Sequence, residues 1–398
     1  MRKTIAALAM VILLMSSFST IVLAHPPDNQ ASVSDFSSEQ ILVKFKPGTS
    51  LPEAAEIHRK LGGQVKDTIP GIRVQVIKVP KGQAKEKVKA YSSNPRVAYA
   101  EPDLVAHVTG SPDDPGFGNQ WGMVKVQASE AWEITTGNGI DIAILDTGVD
   151  LDHPDLASKI VSSISFSTDS ADDVHGHGTH VAGIAAAITN NSIGVAGLGY
   201  AANIMNVKVM DDTGSGAYSW IAAGIIWAAD NGAEVINMSL GGSTASSTLE
   251  DAVNYAWSRG VIVVAAAGND GSDLPSYPAY YANCIAVAAT DVNDARAAWS
   301  NYGDWVDVAA PGVHVFSTLR NNSYAHMSGT SMASPHVAGL AALVFTTVSD
   351  VNGNGLLNDE ARCRIESTCD DIGIEDIGSG RINAARAVDG ASVLPGTI

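Results

Sequence analysis

Four short segments carry side chains able to do chemistry, and small residues surround each of them. Gly329-Thr330-Ser331-Met332-Ala333-Ser334-Pro335 sets a serine at the predicted start of a long apolar helix that runs to Val348. A serine in that place is most often a helix cap. Here the neighbouring glycine and alanine let a second backbone approach, and the positive end of a helix stabilises an anion formed beside it. His177-Gly178-Thr179-His180 places an imidazole where another helix opens. Asp146-Thr147-Gly148 closes an apolar run with a carboxylate, and Ala267-Gly268-Asn269 closes another with an amide. Taken singly, Asp146 reads as a strand-end cap. Together, an acid, an imidazole, an amide and a hydroxyl supply every part needed for acyl transfer through a serine nucleophile. The competing reading is a metal centre on His175, His177 and His180. Their spacing is not His-Glu-x-x-His, and no cysteine or carboxylate joins them at zinc-like intervals.

The elements that must hold these groups follow from hydrophobic rhythm. Ile140–Leu145, Ile204–Val209, Val235–Met238, Val261–Ala266 and Ile285–Ala289 are short apolar runs, alternating with helical stretches His180–Ile188, Tyr218–Asp230 and Leu249–Arg259. That alternation predicts an α/β fold with a parallel sheet covered on both faces. Sites in such sheets collect beyond the carboxyl ends of strands, where Asp146 and Asn269 stand. Ahead of it, residues 41–103 predict a small α+β module: strands at Ile41–Phe45, Val74–Val79 and Val97–Ala100, helices at Leu51–Leu61 and Ala84–Tyr91. A module that small is marginal alone.

Charge divides along the same line. The 398 residues hold 24 Lys+Arg and 42 Asp+Glu, a net of −18, which argues against nucleic acid or an anionic membrane surface as partner. Residues 25–109 carry +3 and residues 110–398 carry −23, so the two modules are of opposite sign. Three cysteines exclude a disulfide-built scaffold. At the N-terminus Arg2 and Lys3 precede an apolar run, Ile5–Met15, then Ser16, Ser17, Ser19, Thr20 and the small Ala24. This is the order of a secretory signal peptide over residues 1–24, and the run is shorter than the ~20 residues of a membrane span. The expected product is exported and free of the membrane.

In the order and spacing of Asp146–Gly148, His177–Gly183, Asn269 and Gly329–Pro335, the chain from about Asp114 to Ala387 resembles the subtilisin-like serine proteases, or subtilases. Residues 41–103, closing on Ala98-Tyr99-Ala100-Glu101-Pro102-Asp103, resemble their inhibitory propeptide. The resemblance implies a self-processing zymogen: signal peptide 1–24, propeptide 25–109 acting as inhibitor and folding aid, and a three-layer peptidase domain 110–398, secreted as a monomer. It implies a triad of Ser331, His177 and Asp146, with Asn269 at the oxyanion, and leaves His180 and His336 as packing residues. Polypeptide substrates would pair with Gly214-Ser215-Gly216 and with Ser239-Leu240-Gly241. Leu240, Ala266, Ala267 and Gly268 would wall the pocket for the residue before the cut, with Ser276 at its base. No acidic residue is expected there, so broad cleavage after apolar or aromatic residues is expected. A tight structural Ca²⁺ loop is implied at Thr189, Asn191, Ile193 and Val195, completed by Asp114 and Asp155. A catalytically dead relative is disfavoured by the intact set of four, and a narrow processing protease by the absence of acidic specificity residues.

One stretch departs from the family, an insert near 350–370. Asp350, Asn352, Asn354, Leu356 and Asn358, with the bend glycine Gly355, follow an EF-hand-like calcium loop. Its twelfth position is Ala361, and Glu360 falls one place early; a solvated turn is the alternative. Cys363 and Cys369 bracket five residues in a chain expected to be exported, which suggests a local disulfide. Cys284 sits in an apolar run as a buried thiol.

Overall fold

The computed structural model describes residues 36–80, 82–104 and 111–389. The expected signal peptide and the expected junction at Thr109 lie outside the described residues. The chain folds as two compact units, residues 1–108 and 109–398.

The first unit runs β1 (Phe36–Phe45), α1 (Leu51–Leu61), β2 (Gln64–Ile69), β3 (Val74–Lys78), α2 (Ala84–Ser92) and β4 (Val97–Leu104). Its strands form an antiparallel sheet in the order β2-β3-β1-β4. Ser50 opens α1 with a capping box: its hydroxyl accepts from the Glu53 N–H while the Glu53 carboxylate accepts from the Ser50 N–H. Ile41, Val43, Ile77, Tyr91 and Val97 form the core against the two helices. Strand β2 was not expected. All six of its residues are exposed, so no buried face marks it in the sequence.

The second unit begins with short helices α3 (Trp121–Lys125) and α4 (Ala128–Trp132). Strands β5 (Asp141–Asp146), β6 (Ile160–Ser165), β7 (Asn203–Lys208), β8 (Val235–Met238), β9 (Ile262–Ala266), β10 (Ile285–Thr290) and β11 (Val308–Pro311) form one parallel sheet, ordered β11-β10-β9-β8-β5-β7-β6. Helices α5 (His177–Ala186), α6 (Tyr218–Asp230) and α7 (Ser247–Ser258) connect them; the hairpin β12 (Val315–Leu319) and β13 (Ser323–Met327) and helices α8 (Thr330–Phe345), α9 (Asn358–Ser367) and α10 (Ala384–Val388) follow. One core lies between the sheet and α5 and α8, the other between the sheet and α6 and α7. The expected α/β architecture is therefore present as three layers. Sequence reading passed over β6 and β11, the two edge strands, one rich in serine and the other ended by Pro311. Among the described residues no helix is long and apolar enough to cross a membrane.

Helix α8 is apolar all round, as a helix with protein on every side should be. Every one of its residues is buried except Ser331.

Candidate active site

Strand β5 delivers Asp146 to the carboxyl edge of the sheet, almost wholly buried. Its Oδ1 accepts from the Thr147 N–H at 2.8 Å and meets His177 Nδ1 at 2.7 Å. Nδ1 thus carries a proton toward the carboxylate and leaves Nε2 as the basic nitrogen. Burial opposes the imidazolium, but the charge and hydrogen bond of Asp146, with the charge of Asp173, outweigh it and raise the His177 pKa above its ordinary value.

His177 is the first residue of α5, and a second carboxylate holds that helix start in place. Asp173 accepts from Thr147 Oγ1, the N–H groups of His175, Gly176 and Thr179, and Thr179 Oγ1, at 2.6–3.0 Å. Thr147 Oγ1 in turn accepts from the Gly178 N–H at 3.0 Å. The end of β5 and the start of α5 are therefore one hydrogen-bonded unit. Sequence reasoning missed Asp173; its place a few residues before a helix start was the available signal.

Ser331 stands in the first turn of α8. Pro335 has no N–H, so the Ser331 carbonyl four residues earlier is free of the usual helical bond. Ser239 Oγ takes it instead at 2.8 Å, and Ser331 Oγ donates to the Ser239 carbonyl at 3.2 Å. Asn237 and Ser334 extend this buried chain behind the serine. The hydroxyl bonds Ser239 rather than His177; such contacts commonly form only with substrate in place.

Asn269 Oδ1 accepts from the Thr330 N–H and hydroxyl at 2.8 and 3.0 Å, which turns its Nδ2 the other way. A Cβ on Gly329 would stand 3.7 Å from Asn269 Nδ2 and 3.6 Å from the Ser331 nitrogen, so both nitrogens face one small space. Gly268, at φ +106°, lies against the Asn301 amide and has no room for a side chain.

Beside this point is a cavity of about 440 Å³ lined by Leu240, Gly241, Gly268, Leu274, Ser276 and Asp270, among others. Ser276 lines it close to Gly241. Asp270, exposed at the lining, corrects the expectation of a pocket without acid. A neighbouring depression of about 290 Å³ holds Asp146, His177, Gly214, Ser239, Leu240 and Gly241. Gly214, at φ +79°, lies close to the His175 ring. Ser215 donates from its N–H to Asp211, and a side chain on Gly216 would strike the Val209 carbonyl. Ala267, fully buried, gives its carbonyl to Asn301. His180 and His336 are buried, held by the carbonyls of Ala325 and Met332, and burial pushes both down to about 4. They are neutral packing residues.

Against known families, residues 137–373 match the subtilase family, and residues 25–103 match the fervidolysin N-terminal prodomain. The chain belongs to the subtilase family. A thermophilic serine proteinase of Bacillus sp. (strain AK1) is 45% identical over 88% of this chain and 87% of its own length. Thermitase of Thermoactinomyces vulgaris is 50% identical over 70% of this chain and 99% of its own. Among solved structures, a protease of Pseudoalteromonas arctica PAMC 21717 matches with a TM-score of 0.65 at 35% identity, over 71% of this chain and 99% of that one. The subtilase is a serine endopeptidase made with a prodomain.

The loop expected to bind calcium offers hard oxygens only. Asp114 and Asp155 are buried; Asp114 accepts from the N–H groups of Asn190 and Asn191, and Asp155 from Val195 N–H and Asn191 Nδ2. Burial, with the charge of Asp114 adding to it, raises the Asp155 pKa. A side chain on Gly194 would overlap Asp155 Oδ2, so the loop closes around that carboxylate. Among the described residues the carbonyls of Thr189, Ile193 and Val195 accept no backbone hydrogen bond. Two buried carboxylates beside free carbonyls fit a Ca²⁺ ion. Asn191 Oδ1 also accepts from the Ile193 N–H, which leaves it one spare lone pair.

Two expectations in the insert are corrected. Cys363 and Cys369 are not joined by a disulfide; six residues along a helical stretch separate Cα atoms by about 9 Å, beyond bridging distance. Cys369 Sγ donates to the Ile365 carbonyl instead. Asn358, nearly inaccessible, turns out of the 350–358 loop and donates to the Trp257 carbonyl at the end of α7. Among the described residues no three His, Cys, Asp or Glu side chains group as a metal site. Cys284 is a buried thiol, its pKa raised by desolvation.

Proposed function

We propose that this subtilase cleaves polypeptides through Ser331, His177 and Asp146. His177 Nε2 takes the Ser331 proton as Oγ attacks the scissile carbonyl, Asp146 orients and stabilises the imidazolium, and the amine leaves with that proton. Water then releases the acyl group by the same steps in reverse. Asn269 Nδ2 and the Ser331 N–H hold the oxyanion. The observation that carries this reading is the 2.7 Å His177–Asp146 bond, with two nitrogens facing one space beside Ser331. Gly214–Gly216 and Ser239–Gly241 pair with the substrate as added strands. The cavity, whose walls mix Leu240, Ala266, Leu274 and Pro275 with polar groups, takes a wide range of apolar and aromatic side chains, and Asp270 at its lining adds a modest tolerance for basic ones.

Residues 25–109 inhibit the 110–398 domain and assist its folding until the chain cuts itself near Thr109. Opposite net charges support their association. The signal-like residues 1–24 support export, with the mature enzyme acting outside the cell as a monomer. Ca²⁺, held by Asp114, Asp155, the Asn191 side chain and the carbonyls of Thr189, Ile193 and Val195, would neutralise the two buried acids and stiffen the loop after α5.

Intact mass and cleavage of an apolar chromogenic peptide, in wild type and Ser331→Ala with calcium, test the reading. Wild type should shrink to about the mass of residues 110–398 and turn over substrate, while the variant stays full length and inert. Equal activity in both would refute it.

A further inference from the structure

The loop after α8 is built around an acid that the loop's own pattern does not call for. Both oxygens of Asp350 accept backbone N–H groups, from Gly353 at 2.7 Å and Gly355 at 2.8 Å. Asn352 and Asn354 each accept one N–H, from Asn354 and Leu356. Turns of this kind need no ion. Glu360 is a different matter: it is 4% exposed, and its carboxylate reaches back from the first turn of α9 into the loop. Oε1 accepts from the N–H groups of Val351 and Asn352 at 3.0 and 3.4 Å, while Oε2 is buried with no hydrogen-bond partner. An ionised oxygen in that state is costly unless a cation meets it.

The two arginines of α9 are engaged elsewhere. Arg362, two residues further along α9, is committed to Asp307 at 2.9 Å and Glu366 at 2.6 Å. Arg364 donates to the Asp389 carbonyl. A third carboxylate, Asp359, takes the amide NH₂ groups of both Asn352 and Asn354 on Oδ2, at 2.6 and 2.9 Å. That fixes which way each amide carbonyl points and leaves each with a spare lone pair. The twelfth residue of the pattern, Ala361, is fully buried in the core and can offer nothing to the loop.

We propose that residues 350–360 form a second calcium site, in which Glu360, one place ahead of the usual position, supplies the closing carboxylate. The donors are Asp350, Glu360, the amide oxygens of Asn352 and Asn354 and the Leu356 carbonyl, with Asp359 orienting the two amides. Asn358 is not among them. All are hard oxygens, the set that selects Ca²⁺ over transition metals. Few charges in an open loop put the affinity at the weak end, about 10⁻⁴–10⁻³ M. Occupancy would fasten the loop to α9, which is itself clamped to α7 through Asn358 and to Asp307 through Arg362.

The test uses the full precursor as its Ser331→Ala variant, which cannot digest itself. Equilibrium dialysis against Ca²⁺ counts ions per chain in this parent, in Glu360→Gln and Asp350→Asn made on it, and in Asp155→Asn, which addresses the other loop. Near-ultraviolet dichroism without calcium confirms that each is folded. The parent should bind one weak ion that Glu360→Gln and Asp350→Asn each weaken at least ~10-fold, while Asp155→Asn keeps it. A measurement needing neither acidic variant is Tb³⁺ emission excited through tryptophan, which should fall in Trp257→Phe because Trp257 adjoins the loop's end. The proposal is overturned if the parent shows no ion beyond that lost in Asp155→Asn, if both acidic variants bind Ca²⁺ as the parent does, or if Trp257→Phe leaves the emission unchanged.

Discussion

Replacing Asp173 by alanine asks whether His177 is held from behind as well as in front. The carboxylate is 5% exposed and accepts five hydrogen bonds, three of them from backbone N–H groups around the opening of α5. Alanine leaves five donors without their acceptor. Summing each at its full worth would overcount, since they share one charge. Removing one partner of a buried charged network costs about 3–5 kcal/mol. At roughly 2–4 °C per kcal/mol for a domain of this size, the midpoint should fall by about 6–20 °C. Thr147→Val, which removes one of the five and the Gly178 contact, should cost about 1–2 kcal/mol. Melting in the Ser331→Ala background avoids self-digestion. Activity in the otherwise native enzyme, well below the melt, reads the second effect. A loosened α5 start misplaces His177, and an error near 1 Å costs about 10² in rate. Asp173 also raises the His177 pKa, so its removal should move the acid limb of kcat/KM to lower pH. A variant that melts near wild type, with an unchanged rate and limb, would refute the reasoning.

Three further outcomes follow from the site. Asn269→Ala should fold normally yet lose about 10²–10³ in kcat, a size taken from a subtilisin rather than from this geometry; unchanged turnover would remove Asn269 from the oxyanion site. Because Asp146 and Asp173 together outweigh burial and raise the His177 pKa, the neutral base is lost as pH falls through a value above that of an ordinary imidazole. The acid limb of kcat/KM should therefore lie on the alkaline side of an unperturbed histidine, and a limb on the acid side would contradict the reading. Excess EDTA should lower the melting midpoint of the mature enzyme, since Asp114 and Asp155 would be left as buried like charges; a midpoint that does not move would exclude the loop at Thr189–Val195 as a calcium site.

What could be read from the sequence divides by whether a residue acts in its own local setting. Asp146, His177, Asn269 and Ser331 each sit at the end of an apolar run or the start of a helix, so type and position together single them out as candidates. The buried strands β5, β7, β8, β9 and β10 are apolar enough to be recognised, even though β7 also carries Asn206 and Lys208. Strand β2 was hidden because none of its residues is buried. Asp173 was hidden for another reason: its importance lies in five donors from two segments that only the fold brings together. The supposed Cys363–Cys369 bridge failed because spacing was weighed without the helix that occupies it. Asn358 fitted its loop by count, while folding gave its side chain to Trp257.

Helix α8 carries Ser331, the proposed nucleophile, on a rod with no other solvent-facing residue, through the middle of the larger core. Such a rod cannot fray or swing separately; its amides should exchange with solvent only when the entire domain opens. The Ser331 hydroxyl therefore has no private route to displacement by heat. Its working lifetime is that of the whole peptidase domain, governed by a global unfolding rate, and what prolongs it must be sought at the loops and edges where that opening begins.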